Sequence, residues 1–218
     1  MQTQINKKIY IYILLFIFLG TFNNKDFKKI TFPKITEINI SGLNSENRFQ
    51  LLENLDFLKF KTLLILNDNE IKKKIENNKL VEKYFVFKKY PSSLEIRIIK
   101  TKILAKIKKN EKTLFLGSNG KLIENQNHIE KIPFIFGNFS NEEFFKFKSI
   151  IDKSNFDFKE IKNLFFFKSG RWDLETNAGI LIKLPRDGVS ESVDLFSQTL
   201  KDDQFKGTKL IDLRQNKQ

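Results

Sequence analysis

The sequence predicts an α+β protein with a single N-terminal transmembrane helix, a β-α-α-β-β unit, and an antiparallel β unit with flanking helices. Three observations support this fold class. The only long uncharged apolar stretch lies at the extreme N-terminus, from Ile9 to Phe22. Downstream, many short segments alternate between apolar and polar residues, and a few segments between them carry apolar residues at helical spacing. The roughly 195 residues after the stretch suffice for one large domain or two small ones.

The apolar stretch Ile9–Phe22 is short for a membrane span. At ~1.5 Å per residue its fourteen residues reach about 21 Å, whereas the hydrocarbon core of a bilayer is about 30 Å thick. Its ten Ile, Leu and Phe residues nevertheless favour insertion by about 3 to 6 kcal/mol, and Lys7 and Lys8 can extend to the membrane surface. Insertion is therefore expected, with local thinning of the bilayer.

A basic start before a short apolar core is also typical of a cleaved signal peptide. The segment Gly20-Thr21-Phe22-Asn23 places a bulky Phe where signal peptidase requires small residues, so an uncleaved anchor is favoured over a removed peptide. The anchor is predicted at residues 9–24, after a short tail at residues 1–8. Lysines on both sides of the anchor leave its orientation open, because the positive-inside rule needs an asymmetry.

The chain is strongly basic, with a formal net charge of +13 and a pI near 9.7. Nucleic acid is nevertheless not the predicted partner, because only five of the thirty-nine basic residues are Arg, the residue that reads bases and phosphates in bidentate geometry. An AT-rich coding sequence explains the abundance of Lys, Asn, Ile and Phe without any partner. Attraction to an anionic membrane surface or cell-wall polymer stays open. The absence of cysteine excludes disulfides and thiolate chemistry.

Alternation and helical spacing define the first unit. Phe49, Leu52 and Leu55 predict the buried face of its first helix, and Ile71 and Ile75 that of its second. The predicted elements are a strand at Lys34–Ser41 ending at Gly42, a helix capped by Asn44 or Ser45, a helix capped by Asn67 or Asp68, and strands at Val81–Tyr90 and Leu94–Lys102 joined by a turn at Tyr90-Pro91-Ser92-Ser93.

Short strands broken by turn signals define the second unit. Asn119-Gly120 is the strongest hairpin signal, and Ser140 with Glu143 forms a capping box ahead of a helix. The predicted strands are Ile103–Lys108, Thr113–Leu116, Lys121–Glu124, a run from Ile132 into Gly137, Ile161–Lys168, Arg171–Thr176, Ile180–Leu184 and Leu210–Arg214, with a second helix from Ser190 or Glu191 to Lys201.

Particular residues in both units occur in a characteristic order. In the first unit they are Ile38-x-Ile40-x-Gly42, Val81-x-x-Tyr84-x-Val86 and Tyr90-Pro91-x-x-Leu94-x-Ile96-x-Ile98. In the second they are Leu116-x-x-Asn119-Gly120, Ile132-Pro133-x-Ile135-x-Gly137, Arg171-Trp172-x-Leu174, Asn177-x-Gly179-Ile180-x-Ile182-x-Leu184 and Ile211-Asp212-Leu213-Arg214. Together they resemble the FtsQ/DivIB family of bacterial division proteins, with a POTRA domain at residues 34–102 and an FtsQ-type β domain at residues 103–214.

The resemblance implies a non-enzymatic, single-pass type II protein of the inner membrane at the division septum. The N-terminus would lie in the cytoplasm and both domains in the periplasm. Such a protein would link early and late division proteins, with the POTRA domain helping recruitment and the β domain binding the FtsB–FtsL pair. The resemblance implies no cofactor and no small-molecule substrate. The chain departs from the family pattern at Lys100 and Ile103, where the two domains join.

The C-terminal strand carries the candidate binding site. A terminal strand is expected at a sheet edge, where unpaired backbone groups can accept a partner strand by β-augmentation. Two arginines are expected to add charge-assisted bonds to acidic partner residues. Trp172 is expected in the core. By match to the family, the predicted partner-binding residues are Arg171, Leu210, Ile211, Asp212, Leu213 and Arg214.

Catalytic and metal-binding patterns are weak. His128 is the only histidine, and its neighbours have no metal-ligand spacing, so no metal site is predicted. Gly117-Ser118-Asn119-Gly120-Lys121 lacks the spacer of a phosphate loop and is predicted as a hairpin turn. Two alternatives stay open: another membrane-anchored POTRA protein that binds polypeptides as a chaperone does, and a wall-modifying hydrolase, which would need a catalytic pocket.

Overall fold

Two β-sheets organise the chain. The computed structural model describes residues 7–22, 31–124, 131–200 and 207–214. Within these ranges, helix α1 (Lys7–Phe22) precedes a three-stranded sheet with two helices, and an eight-stranded sheet with two further helices follows. The α+β class and the β-α-α-β-β order of the first unit are therefore confirmed.

Helix α1 exposes an almost entirely apolar surface. Its large apolar side chains from Ile9 to Leu19 are between 48% and 80% exposed. Over the parts of the chain that the structure describes, none of the helices combines the length and apolarity needed to cross a membrane, and α1 has 16 residues. Residues 23 and 24 of the predicted anchor lie outside the described residues.

The first unit contains strands β1 (Glu37–Ser41), β2 (Val81–Lys89) and β3 (Ser93–Lys100), and helices α2 (Ser45–Leu55) and α3 (Asp68–Glu76). Strand β3 lies in the centre of the sheet, parallel to β1 and antiparallel to β2. The predicted caps are present, since the side chain of Asn44 accepts a hydrogen bond from the N–H of Asn47, and that of Asn67 from the N–H of Asn69. Both helices thus begin where the sequence predicts.

The buried face of α2 differs from the prediction. Phe49 is 62% exposed, whereas Leu51 and Leu55 are fully buried. A short 3₁₀ helix (Asp56–Phe60) follows α2 directly and buries Leu58. Because spacings of four and three residues join Leu51, Leu55 and Leu58 into one continuous apolar row, this row faces the core and Phe49 points away from it.

The second unit is a single sheet of strands β4 (Ile103–Lys109), β5 (Lys112–Gly117), β6 (Leu122–Ile123), β7 (Phe134–Phe136), β8 (Ile161–Phe166), β9 (Trp172–Thr176), β10 (Leu181–Lys183) and β11 (Leu210–Asp212). Its spatial order is β11-β10-β9-β8-β7-β4-β5-β6. Helix α4 (Asn141–Lys153) lies between β7 and β8 along the chain, and helix α5 (Val189–Thr199) between β10 and β11.

The sheet of the second unit is mixed, so the prediction of an antiparallel β unit is wrong. Strand β7 runs parallel to both β4 and β8, and β11 runs parallel to β10. For two of these pairs the physical reason is the connection between the strands, because a helix returns the chain to the end at which the first strand began. Helix α4 makes this return from β7 to β8, and α5 makes it from β10 to β11.

Helices α4 and α5 begin with different N-terminal caps. Ser140 and Glu143 form the predicted capping box at the start of α4. Helix α5 begins at Val189, ahead of the predicted Ser190 or Glu191, after Gly188 at φ +72°. The predicted helix end at Lys201 lies outside the described residues.

Trp172 lies in the core of the second unit, as predicted. It is 5% exposed, and its ring stacks on Phe147 at 5.0 Å between centroids. The rings of Phe166 and Phe139 lie 4.7 and 5.8 Å from it. Because Phe147 belongs to α4 and Trp172 to β9, these contacts hold the helix layer on one face of the sheet.

Two motif glycines are explained by close backbone approach. A Cβ atom on Gly42, at φ +94°, would lie 1.8 Å from the carbonyl oxygen of Ile98. On Gly137, at φ +107°, it would lie 2.2 Å from the carbonyl oxygen of Phe166. Only glycine fits either position without moving the neighbouring strand.

The turn between β5 and β6 joins the two units by hydrogen bonds. The Asn119 amide Nδ2 donates to the carbonyl oxygens of Lys79 and Val81, at 3.0 and 2.9 Å. The Ser118 hydroxyl donates to the Glu82 carboxylate at 2.7 Å and lies 3.0 Å from the hydroxyl of Thr101. The predicted hairpin turn therefore also serves as the contact between the two sheets.

An apolar cluster lies beside these hydrogen bonds. Leu80 of the first unit is buried together with Phe115 and Ile123 of the second, and Ile103 packs against them. The backbone N–H of Thr101 donates to the carbonyl of Leu80 at 2.9 Å. The departure from the family pattern at Ile103 thus places an apolar side chain in the contact between the units.

We predict that Asn119→Asp loosens the contact between the two units. The aspartate keeps the side-chain acceptor but loses the donor, and it faces two carbonyl oxygens with a negative charge. We expect a loss of about 1–3 kcal/mol in the free energy of unfolding for the two bonds, and an increase in the radius of gyration measured by small-angle scattering.

Asn177→Asp is the matched control, since Asn177 Nδ2 donates to the carbonyl oxygen of Lys159 within the second unit only. This control should lower stability without changing the scattering profile. An unchanged unfolding free energy and unchanged scattering for Asn119→Asp would show that the turn does not hold the units together.

Candidate partner-binding edge

Strand β11 forms one edge of the eight-stranded sheet. It pairs with β10 in parallel register, with Leu210 beside Leu181, Ile211 beside Ile182 and Asp212 beside Lys183. Within the described ranges, no strand lies on its other side. The predicted position of the C-terminal segment at a sheet edge therefore agrees with the sheet order.

The backbone of β11 alternates between its neighbour and the open edge. The N–H of Leu181 donates to the carbonyl of Lys209, and the N–H of Leu213 donates to the carbonyl of Lys183, both at 2.9 Å. Because backbone direction alternates along a strand, the groups of Ile211 also face β10, whereas the N–H and C=O groups of Leu210 and Asp212 face outward. These four outward groups can pair with an added strand.

Side chains hold β11 in place while leaving its edge accessible. Ile211 and Leu213 are partly buried and pack against the core of the second unit. Leu210 points to the opposite face and is 49% exposed. The strand is therefore anchored by alternate residues, and Leu210 offers an apolar contact beside the outward backbone groups.

A row of alternating charges crosses the last three strands. The strand register places Asp173 of β9, Lys183 of β10 and Asp212 of β11 side by side on the face opposite the core. Asp173 and Lys183 are absent from the predicted site, because the sequence does not give the register between the strands.

The two predicted arginines lie at the two ends of this row. Arg171 Nε donates to Asp173 Oδ1 at 3.0 Å, and Arg214 Nε donates to Asp212 Oδ1 at 2.8 Å. Arg171 also lies over the ring of Phe167, 4.4 Å from its centroid. Each arginine is therefore already paired with an aspartate of its own chain.

Burial separates the roles of the two arginines. The side chain of Asp173 is 5% exposed, so Arg171 neutralises a carboxylate that water scarcely reaches. The Arg214–Asp212 pair is 41% and 36% exposed. An acidic group of a partner can therefore replace Asp212 as the ion-pair partner of Arg214 at little cost in free energy. Displacing Arg171 would instead leave the buried carboxylate of Asp173 unpaired.

Arg214 also controls the ionisation of Asp212. Hydrogen bonds from the Arg214 side chain lower the pKa of Asp212 to about 2, and the charge of Lys183 contributes in the same direction. The side-chain hydrogen bond to Asp212 raises the pKa of Arg214, and the charges of Asp212 and Asp173 contribute in the same direction. Asp212 therefore stays ionised at neutral pH.

The described residues contain no group of three or more His, Asp or Glu side chains that could hold a metal ion. His128 and its neighbours at 125–130 lie outside the described residues.

We predict that the carboxyl group of Asp212 titrates with a midpoint of about 2 in an NMR pH titration. Because the pKa in the folded state is depressed, the pair stabilises the fold at neutral pH and this contribution is lost as the pH falls towards that midpoint. Arg214→Gln should raise the midpoint towards that of an ordinary aspartate, and Arg186→Gln should leave it unchanged. An ordinary midpoint in the unaltered chain would contradict the pairing.

Comparisons with known proteins place both units in one family. The FtsQ-type POTRA domain matches residues 34–100, and the C-terminal domain of the cell division protein FtsQ/DivIB matches residues 105–214. A cell division protein FtsQ of Rickettsia bellii (strain RML369-C) is 24% identical to the chain over 170 residues, which cover 73% of the chain and 60% of that relative.

The chain thus spans about three fifths of the length of that relative. The C-terminal match ends at residue 214 and includes all six residues of the predicted site. Residues 105–214 alone make up half of the 218 residues. The chain belongs to the FtsQ/DivIB family of cell division proteins.

Proposed function

We propose that the chain is a membrane-anchored, non-enzymatic scaffold of the division machinery that binds a partner strand along β11. The observation that carries this proposal is the free edge of β11, with two residues whose backbone groups face outward. The family consists of non-enzymatic division proteins, which agrees with a binding role. The proposed partner is the FtsB–FtsL pair, which the family resemblance implies, and the role is to link early and late division proteins.

The proposed topology places residues 1–8 in the cytoplasm, an anchor at residues 9–24 in the inner membrane, and the POTRA domain (34–102) and β domain (103–214) in the periplasm at the septum. The exposed apolar surface of α1 supports the anchor, because such a surface needs an apolar environment. Its sixteen residues reach about 24 Å, so Lys7 and Lys8 would extend to the surface of a locally thinned bilayer.

Strand addition supplies affinity from the backbone. The N–H and C=O groups of Leu210 and Asp212 offer up to four hydrogen bonds, each with a net contribution of about 0.5–1.5 kcal/mol. Leu210 adds an apolar contact. The binding energy therefore depends little on the partner's sequence, and specificity has to come from side chains.

The charge row supplies that specificity. An acidic residue on the added strand would be attracted to Arg214, and a basic residue would be attracted to Asp212. The favoured register is therefore the one that places opposite charges of the partner beside these two residues. Arg171 holds the Asp173 side chain in position by a hydrogen bond, and so contributes indirectly. Among the predicted residues, Leu210, Asp212 and Arg214 are proposed to contact the partner, while Ile211 and Leu213 hold the strand on the core.

We predict that Leu210→Pro weakens binding of the FtsB–FtsL pair by about tenfold or more, because it removes an outward N–H without removing a hydrogen bond to β10. The matched control is Leu210→Thr, which keeps the N–H and favours a strand. Affinity is measured by calorimetry with the full-length chain, and the fluorescence of Trp172 reports whether the core is intact.

Equal affinity of Leu210→Pro and Leu210→Thr, with intact cores, would show that β11 does not accept a strand. Failure of the unaltered chain to bind the pair would instead remove FtsB–FtsL as the partner. The two outcomes separate the mode of binding from the identity of the partner.

A further inference from the structure

The first unit has one end that lies far from the second unit. Strand β3 runs towards the contact between the units and ends at Lys100, so its start at Ser93 lies at the opposite end. The N–H of Thr36 donates to the carbonyl of Ser92 at this far end, at 2.9 Å. Lys34 forms an antiparallel bridge with Thr62 nearby. The chain therefore enters the first unit from the anchor at the end opposite the β domain.

Exposed apolar side chains gather at this end. They come from the entering chain, from the segment after the 3₁₀ helix and from the β2–β3 turn, and all are between 52% and 78% exposed. We call them the distal patch: Phe32, Phe60, Leu64, Ile65 and Tyr90. Their sequence neighbours Leu58, Leu63 and Leu66 are buried, so the segment carries apolar residues on both its sides.

This exposure is unfavourable in water. A large apolar side chain that stays exposed forgoes the stabilisation that burial would give it. Isolated exposed apolar residues are common, but a group from three separate segments indicates a binding surface.

Lysines precede the distal patch along the chain. Lys34 is exposed beside it, and the sequence of the connector contains Lys25, Lys28 and Lys29. Glu37 also lies at this end, beside Ser93. Apolar and aromatic side chains flanked by lysines are typical of segments that lie in a membrane interface, where the lysines meet anionic headgroups.

The connector limits the distance between the distal patch and the anchor. Eight residues, 23–30, separate the end of α1 at Phe22 from Thr31. Even fully extended, they and the bonds at either end reach only about 30 Å. A membrane that holds α1 is therefore always within reach of the patch.

We propose that the distal patch lies in the periplasmic interface of the membrane that holds α1, with Leu64 and Ile65 inserted between headgroups. This proposal rests on the proposed anchoring of α1. Insertion would restrain the POTRA domain at a second point beside the anchor. Through the contact at Asn119, it would also set the height of β11 above the membrane.

The test uses the full-length chain, which has no cysteine and so accepts single labels. An environment-sensitive fluorophore is attached at Ile65→Cys, at Ile99→Cys or at Phe16→Cys, and each variant is reconstituted in vesicles of phosphatidylethanolamine and phosphatidylglycerol. Ile99 is the matched control, because it is 49% exposed on the same domain but lies near the β domain. Phe16 reports on the anchor.

We expect the label at position 65 to lose most of its emission to a quencher carried on lipid chains and to be shielded from aqueous iodide. The label at position 99 should behave in the opposite way. If the label at 65 behaves like that at 99 while the label at 16 is quenched by lipid, the interfacial contact is wrong and the anchor stands. If the label at 16 is not quenched by lipid, the anchoring and the contact that rests on it are both wrong.

A second measurement excludes insertion driven by the label itself. A fluorophore at Tyr90→Cys leaves Leu64 and Ile65 unaltered and should also be quenched by lipid. Adding Leu64→Ser and Ile65→Ser to this variant should abolish the quenching. Quenching that persists in the triple variant would overturn the role of Leu64 and Ile65, and a patch occupied by a protein partner would leave Tyr90 unquenched in pure vesicles.

Discussion

The contact between the β5–β6 turn and the first unit is the constraint on which the rest of the molecule depends. Asn119 donates to two backbone carbonyls of the first unit, and Ser118 connects Glu82 to Thr101. Thr101 is itself 4% exposed, so these polar groups are paired where water is largely excluded. The bonds and the apolar cluster of Leu80 and Phe115 connect the two sheets.

The contact between the units determines how firmly the binding edge is positioned relative to the first unit. The chain enters the first unit at the end that carries the distal patch, and the second unit continues from its other end. A binding edge at the far side of the eight-stranded sheet can be held at a defined place only if the joint between the units is stiff. Without the contact between the units, β11 would stay connected to the first unit through the chain but would have no fixed position relative to it.

An exposed edge strand is also a liability, because it can pair with any other strand. Strand β11 is short, with three residues, and Asp212, Arg214 and Lys183 surround its outward groups with charge. Unspecific pairing with an apolar strand would bury these charges at a cost, whereas a partner with complementary charges would not. The same row that selects a partner would therefore protect the edge from aggregation.

The sequence predicted local features better than long-range ones. Alternation and caps placed the elements of the first unit, and the capping box at Ser140 placed α4, because these signals depend on neighbours along the chain. The sequence did not predict that β7 and β11 each run parallel to their neighbours. Turn signals do not reveal at which end of the sheet a helix returns the chain. The alignment of Asp173, Lys183 and Asp212 in one row was missed for a related reason, because it depends on the register between strands.

Strand addition at β11 is tested most directly by amide hydrogen exchange, residue by residue, in the free chain and in its complex with the FtsB–FtsL pair. The account predicts that the amides of Leu210 and Asp212 exchange faster than that of Ile211 in the free chain, because of these three amides only that of Ile211 faces β10. In the complex, the exchange of Leu210 and Asp212 should slow while that of Ile211 changes little. A bound complex in which Leu210 and Asp212 exchange as fast as before would contradict the account.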